Sequence, residues 1–224
     1  MSEYIIEEDI GKIWVTSDLH FGHVNILKYA PQRAEYLGIP QVRGETPTRD
    51  EVIEMNEGLV RLWNRQVSVF DTVWVLGDVA MGRVDETIEY VRRLNGIKCL
   101  VMGNHDRPHP IMHKSDEKTA EWRARYEEVG FQIMDNEIVT HFDGVLAQVC
   151  HFPYEGDHSE EERYGAYRPE RAGLPLVHGH VHDLWQTNGD QYNVGIDAWN
   201  GEFQTPEAIG AYFRANGYAA VERV

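Results

Sequence analysis

Carboxylate, imidazole and carboxamide side chains recur along this chain in short clusters. They are Asp18-Leu19-His20, Asp78, Asn104-His105-Asp106, His151, and the stretch LPLVHGHVHDLW with His178, His180 and His182 at every second position. Imidazoles at period two share one face of an extended segment, which suggests metal ligation. Taken singly each cluster is weak, because an Asp after a strand is a common turn residue. Their recurrence is not weak. Each follows a short apolar run, in turn KIWVTS, DTVWVLG, IKCLVMG, VLAQVC and LPLV, and independently chosen turn residues would mix Asn, Ser, Gly and Pro. The carboxyl ends of strands are where open α/β sheets bind ligands. A donor set of carboxylate, imidazole and carboxamide without thiolate suits Mn, Fe, Zn or Co rather than a structural zinc cage. So many candidate ligands exceed what one ion with open positions accepts. They suit two ions that share a carboxylate, ~3.5–4 Å apart.

The elements that must position these groups are legible in the spacing. KIWVTS (12–17), DTVWVLG (71–77) and IKCLVMG (97–103) read as strands. Residues 48–67 read as a helix, with Thr48 and Glu51 in a capping box and Val52, Met55, Leu59, Leu62 and Trp63 on one stripe. Residues 83–96 read as a second helix, with Val84, Ile88, Val91 and Leu94 inward and Gly96 as its stop. This β-α-β-α-β order predicts parallel strands with crossover helices. After a helix at 119–130 the pattern changes. EIVTHF and VLAQVC flank Asp143-Gly144, a hairpin signal, and short strands follow in LPLVHG, LWQTNG and QYNVGI before a closing helix at 205–217. The two halves should feed one core between two stacked sheets. Segments 29–47 and 153–173 resist assignment, and loops of that length are either lids that bind substrate or tolerated insertions.

Length and charge bound the function. A chain of 224 residues with 42% hydrophobic residues fits one domain with a real core. A net charge of −16 argues against wrapping long nucleic acid or an anionic membrane, both of which need basic residues. It leaves room for a small phosphorylated substrate drawn by metal ions. Cys99 and Cys150 sit inside apolar runs and read as buried strand thiols. The opening MSEYIIEEDI has no apolar core of a secretory signal, so a reducing cytoplasm is the expected location.

Together, Asp18-Leu19-His20, Gly77-Asp78, Gly103-Asn104-His105-Asp106, His151 and Gly179-His180-Val181-His182 resemble the D-x-H, G-D, G-N-H-[ED], H and G-H-x-H blocks of the calcineurin-like metallophosphoesterases. TSDLHFGHVNILKY and NVGIDAWN are similar to the short, single-domain bacterial and phage branch. The resemblance implies a four-layer α-β-β-α sandwich of two mixed sheets; the chain reads as one domain over 1–224, with 29–47 and 153–173, by their length, as lid or specificity loops. The resemblance also implies one metal on Asp18, His20 and His182, another on Asn104, His151 and His180, and Asp78 between them. Two divalent transition-metal ions are expected, Mn²⁺ first among Fe, Zn, Co and Ni. His105 is implied as the catalytic histidine beside the site. His178 precedes the motif glycine and is expected to pack or to support a ligand.

On this reading a metal-bound hydroxide attacks phosphorus, and His105 stabilises the growing charge or protonates the leaving oxygen. Asp106 either orients His105 as part of the catalytic machinery or serves the turn. His23 and Asn25 line the substrate side or stabilise the loop. Arg107 is a candidate phosphate contact, as are Arg83 and His158. The lack of an evident arginine clamp favours diesters, which carry less charge than monoesters. The expectation is therefore a phosphodiesterase for small diesters such as 2′,3′-cyclic nucleotides. The alternatives are a phosphomonoesterase or protein phosphatase on the same site, and a non-catalytic metal-dependent binding scaffold. HGHVHD also resembles the H-x-H-x-D-H motif of metallo-β-lactamase-like enzymes, but the order is wrong because His182 precedes Asp183.

Overall fold

The computed structural model describes residues 11–42, 46–157 and 163–220. The opening decapeptide and His158 lie outside the described residues. Four strands, β1 (Ile13–Thr16), β2 (Thr72–Val75), β3 (Ile97–Leu100) and β4 (Phe131–Ile133), form a parallel sheet in that order. The second sheet is mixed. It runs β5 (Glu137–Phe142), β6 (Val145–Cys150), β7 (Leu176–His178), β9 (Gln191–Asn193) and β8 (Thr187–Asn188). Asp143 and Gly144 both have positive φ, the two-residue turn whose twist matches the β5–β6 hairpin.

Period-two alternation sorts the first sheet's side chains between two cores. Val73, Val75 and Leu100 join the cluster of helix α3 (Arg49–Gln66), which supplies Met55, Leu59, Leu62 and Trp63. Val15 and Val101 turn the other way, into a cluster with Ala147, Val149, Val177 and Tyr192 of the second sheet. Ile209 and Phe213 of the last helix, Pro206–Ala215, pack into that same cluster against Phe142 and Val145. Helices α1 (Ile26–Tyr29), α2 (Gln32–Leu37) and α3 share the first cluster outside the parallel sheet. This is the α-β-β-α sandwich. Cys99 and Cys150 are buried and free.

Helix α3 begins as its sequence predicts: Thr48 Oγ1 accepts from Glu51 N–H, and Glu51 reaches back to Thr48 N–H. The helix expected over 83–96 is shorter and tighter. It is α-helical only over α4 (Val84–Thr87) and continues as a 3-10 helix over Ile88–Arg93. The reason lies in the apolar spacing: Ile88, Val91 and Leu94 recur every third residue, the period of a 3-10 turn, and all are buried. The helix expected at 119–130 begins earlier, as α5 (Asp116–Glu128), capped by Ser115. Strand β4 was not anticipated. Within 29–47, α2 is ordered and buries Arg33 and Ala34, so that part is a packed element rather than an open loop. Among the described residues no helix is long and apolar enough to cross a membrane.

Asp71 anchors the lower edge of the parallel sheet. It accepts from the backbone N–H of Lys12 and Ser68, from Ser68 Oγ, and from the Trp14 indole. Burial pushes its carboxyl up, but the Ser68, Trp14 and Lys12 hydrogen bonds outweigh that and hold it down at about 2. A depressed carboxyl stabilises the fold above its unfolded value of 3.8, and the contribution is lost as pH falls through about 2. Asp71→Asn should therefore lower stability by ~1–3 kcal/mol at neutral pH. In thermal melts the gap to wild type should close as pH falls from 4 towards 2.

Candidate metal centre

Every strand that carries a motif delivers it at one end of the sandwich. Asp18 and His20 follow β1, Asp78 follows β2, Asn104 and His105 follow β3, His151 follows β6, and His180 and His182 follow β7. The two sheets are stitched together there: Ser17 N–H donates to Val194 O and Ile196 N–H to Ser17 O. The backbone turns sharply at five of the seven candidate ligands. Asp18, His20, Asp78, His180 and His182 all have φ between 49° and 72°, the left-handed region that costs a non-glycine residue free energy. These turns aim the side chains back over the strand ends, and tertiary hydrogen bonds hold them. Asp18 N–H, for example, donates to Gly77 O at 3.0 Å and His20 N–H to Asp78 O at 3.0 Å.

The side chains converge as acceptors facing acceptors. Asp18, His20 and His182 each offer a ligand atom within 4.8 Å of the others, as do Asp18, Asp78 and His151. His182 Nδ1 lies 3.3 Å from Asp197 and His151 Nδ1 lies 2.7 Å from Leu76 O, so those nitrogens carry the protons. Their bare Nε2 atoms then face His20 Nε2 at 3.2 Å and Asn104 Oδ1 at 3.1 Å. His180 Nδ1 adds a further nitrogen 3.0 Å from Asn104 Oδ1. Asp18 Oδ1 and His20 Nδ1 are buried without a hydrogen-bond partner. Oxygen and imidazole ligand atoms gathered this closely, two of them without a hydrogen-bond partner, make a donor set that fits divalent metal ions. Burial, followed by the neighbouring His182 and His105 rings, lowers His20; burial and then His151 lower His180 to about 3. Both imidazoles are thus neutral and able to ligate. Burial raises Asp18. It also pushes Asp78 up, but His151, His105 and a backbone N–H outweigh it and hold Asp78 below its ordinary range.

Arg33 is the structural counterweight. It donates to both oxygens of Asp197 at 2.9 and 2.6 Å and to the carbonyls of Asp18 and Leu19, and all of its partners are buried. Asp197 in turn orients His182, and Tyr36 donates to it at 2.8 Å. Burial opposes ionisation of Asp197, but Arg33 and the His182 ring hold it well below the ordinary carboxylate range.

Other expected residues fall elsewhere. His105 is partly exposed, its Nε2 3.9 Å from Asp78 and its ring 5.7 Å from that of His20. Asp106 does not reach His105. Its carboxylate is engaged by the N–H groups of Asp78, Val79 and Gly103, so it pins the turns that carry the ligands. Burial and then repulsion from Asp78 push that carboxyl up to about 7. Of the two roles expected for Asp106, these hydrogen bonds support the one in the turn. His23 lines a cleft of about 500 Å³ with His20, Ile26, Tyr29, Ala30, His105, His182 and Asp183. Asn25 is not among the residues that line it. Its N–H donates to His23 Nδ1, which supports the loop. Arg107 lays its guanidinium over Trp122, and Arg83 pairs with Glu86 at the surface. His178 is buried with Nδ1 against Gly179 O, and burial lowers it to about 4. It packs behind the site. Three residues that sequence reasoning missed, Arg33, Asp157 and Asp197, are buried charges, and only their pairing, which folding creates, reveals them. A larger cleft of about 920 Å³, lined by Lys12, Trp14, His141 and Glu207, lies at the opposite end of β1. It has no part in this chemistry.

The family model for calcineurin-like phosphoesterases matches residues 11–194. The chain is 32% identical over 201 residues to the Gene 66 protein of Mycobacterium phage D29, covering 85% of this chain and 90% of that one. It is 31% identical to the Gene 66 protein of Mycobacterium phage L5, covering 85% and 88%. Among solved structures it is similar to AQ665 from Aquifex aeolicus, a protein of unknown function. That match has 24% identity, a TM-score of 0.56 and coverage of 86% of this chain and 94% of that one.

Gly179 explains one constraint of the motif. A Cβ there would lie 2.4 Å from Ser17 Oγ and 2.7 Å from Asp18 Oδ2, inside the ligand cluster. Gly179→Ala should lower the melting temperature, by overpacking worth ~1–3 kcal/mol. It should also reduce bound metal below the wild-type level, read by elemental analysis of the purified protein. Arg33→Met leaves Asp197 buried without its partner, and a loss of ~3–5 kcal/mol is expected in denaturant titrations.

Proposed function

The chain belongs to the calcineurin-like phosphoesterase family and is a phosphoric ester hydrolase; on that premise we propose that it is a binuclear phosphodiesterase acting on small diesters. Asp18, His20 and His182 would hold one divalent ion and Asn104, His151 and His180 the other, with Asp78 between them. The carrying observation is the convergence of buried carboxylate, carboxamide and imidazole atoms within ligand distance of one another, two of them, Asp18 Oδ1 and His20 Nδ1, without a hydrogen-bond partner. Ions bound there supply Lewis acidity, which lowers the pKa of water and draws in phosphate oxygens. Mn²⁺ suits these oxygen and imidazole donors.

The protein's own groups do the rest. Asp18 and Asp78 offset part of the positive charge and leave enough to attract an anion into an acidic protein. His105 stands at the cleft, exposed enough to touch substrate, and can hydrogen-bond a phosphate oxygen or give a proton to the leaving oxygen. His23 forms the adjoining wall, a neutral ring that burial, then His105, lowers to about 4. Diesters rather than monoesters are favoured by the walls of this cleft. Among the described residues they contain no Arg or Lys, and Asp183 adds a negative charge that a dianion would meet unfavourably. The filled ligand set argues against a non-catalytic scaffold.

Bis(p-nitrophenyl) phosphate should be hydrolysed with Mn²⁺ and not with chelator, and faster than p-nitrophenyl phosphate. No hydrolysis with any divalent metal overturns the reading, and faster turnover of the monoester moves it to a phosphomonoesterase. His105→Ala should keep wild-type metal content while losing ~10²–10⁴-fold in turnover of diesters with poor leaving groups.

A further inference from the structure

We propose that Asp157, a residue outside all the motifs, positions His180 and so ties metal affinity at one half of the centre to the segment that follows β6. The inference rests on the binuclear reading above. The Asp157 side chain is wholly buried, and its Oδ2 lies 3.4 Å from His180 Nε2. With that nitrogen donating to the carboxylate, Nδ1 is left as the ligating atom, and Nδ1 is the one that faces Asn104 at 3.0 Å. His182 is held the opposite way. Its Nδ1 is engaged by Asp197 and its Nε2 faces the cluster. Two histidines two residues apart thus present different nitrogens because different carboxylates hold them. A carboxylate behind a ligand histidine fixes its ring and tautomer and raises its basicity.

Asp157 is itself held in place. Arg163 donates to Oδ1 at 2.8 Å and to Oδ2 at 3.2 Å, and Arg168 stands 3.8 Å from Oδ2. Arg168 is almost buried and donates to the carbonyls of Pro153, Gly156 and Arg163. Gly156 brings the backbone against Trp185: a Cβ there would lie 2.1 Å from the indole, and its φ of 96° suits glycine. The carboxylate therefore rests on an arginine pair, mirroring Arg33 behind Asp197, and the backbone just before it rests on the Trp185 ring. Part of the segment expected to serve as a lid thus acts as a strut.

The test is metal binding to the full chain, followed by Mn²⁺ titration calorimetry and by the visible spectrum of the Co²⁺-loaded protein. Asp157→Asn should weaken one of two sites by about 10–100-fold and leave the other unchanged. It should alter the part of the Co²⁺ spectrum that comes from that site, while Asp157→Glu restores both. In long-range proton–nitrogen spectra of the Zn²⁺-loaded wild type, His180 should be metal-bound through Nδ1. Equal affinities and an unchanged spectrum in Asp157→Asn overturn the proposal. Should that variant melt before loading, Arg163→Gln carries the same test, since Arg163 is partly exposed: weakening at one site supports the proposal and wild-type affinity at both overturns it. A wild type that binds fewer than two ions would instead sink the binuclear reading, so the two failures are distinguishable.

Discussion

Buried carboxylates packed against buried imidazole lone pairs are the constraint around which this molecule is arranged. Asp18 and Asp78 bring ligand oxygens within 4.8 Å of each other and of His151. Left to themselves such groups would take up protons or water. The fold holds them together nonetheless: the two sheets meet at the strand ends, and Arg33 brings positive charge against the Asp18 and Leu19 carbonyls and Asp197. The left-handed turns at five ligand positions are the local cost of that arrangement. Asp106 is spent on holding those turns. It accepts from three backbone N–H groups across the β2 and β3 ends.

This division of labour explains what was readable in advance. Ligands lie within a few residues of their strands, so local patterns mark them: an apolar run, a tight turn, then Asp, Asn or His. The capping box at Thr48, the Asp143-Gly144 hairpin and the capped final helix are local in the same sense, and each formed where its residues stand. Where local signals were ambiguous, the reading failed in a regular way. Residues 88–94 fit both a helical stripe and a three-residue repeat, and the tighter helix prevailed.

The supporting charges were illegible for the opposite reason. Arg33 and Asp197 are 164 residues apart, and each looks in isolation like a surface residue. Asp157 and its arginines sit in a stretch whose composition suggests an exposed loop. Nothing short of the folded contact shows that the segment from 29 to 47 contributes a buried cation or that the one from 153 to 173 contributes a buried anion. For Asp106, which adjoins His105 in sequence, the sequence left two roles open, orienting that histidine or serving the turn. The Asp106 side chain points to backbone on the other side of the turn.

The Asp18–His20–His182 cluster joins residues from near one end of the chain to residues close to the other. Its assembly has a consequence for biosynthesis. A nascent chain holds only one part of that cluster until the strand bearing His182 has been made and has docked beside β6 and β9. Parallel pairings of such long sequence separation form slowly. Metal capture by that cluster therefore waits for the last long-range closure. A chain cut short of residue 182 would carry the aspartate and the first histidine of that cluster and still lack its third member, so that half of the centre is the later one to be completed.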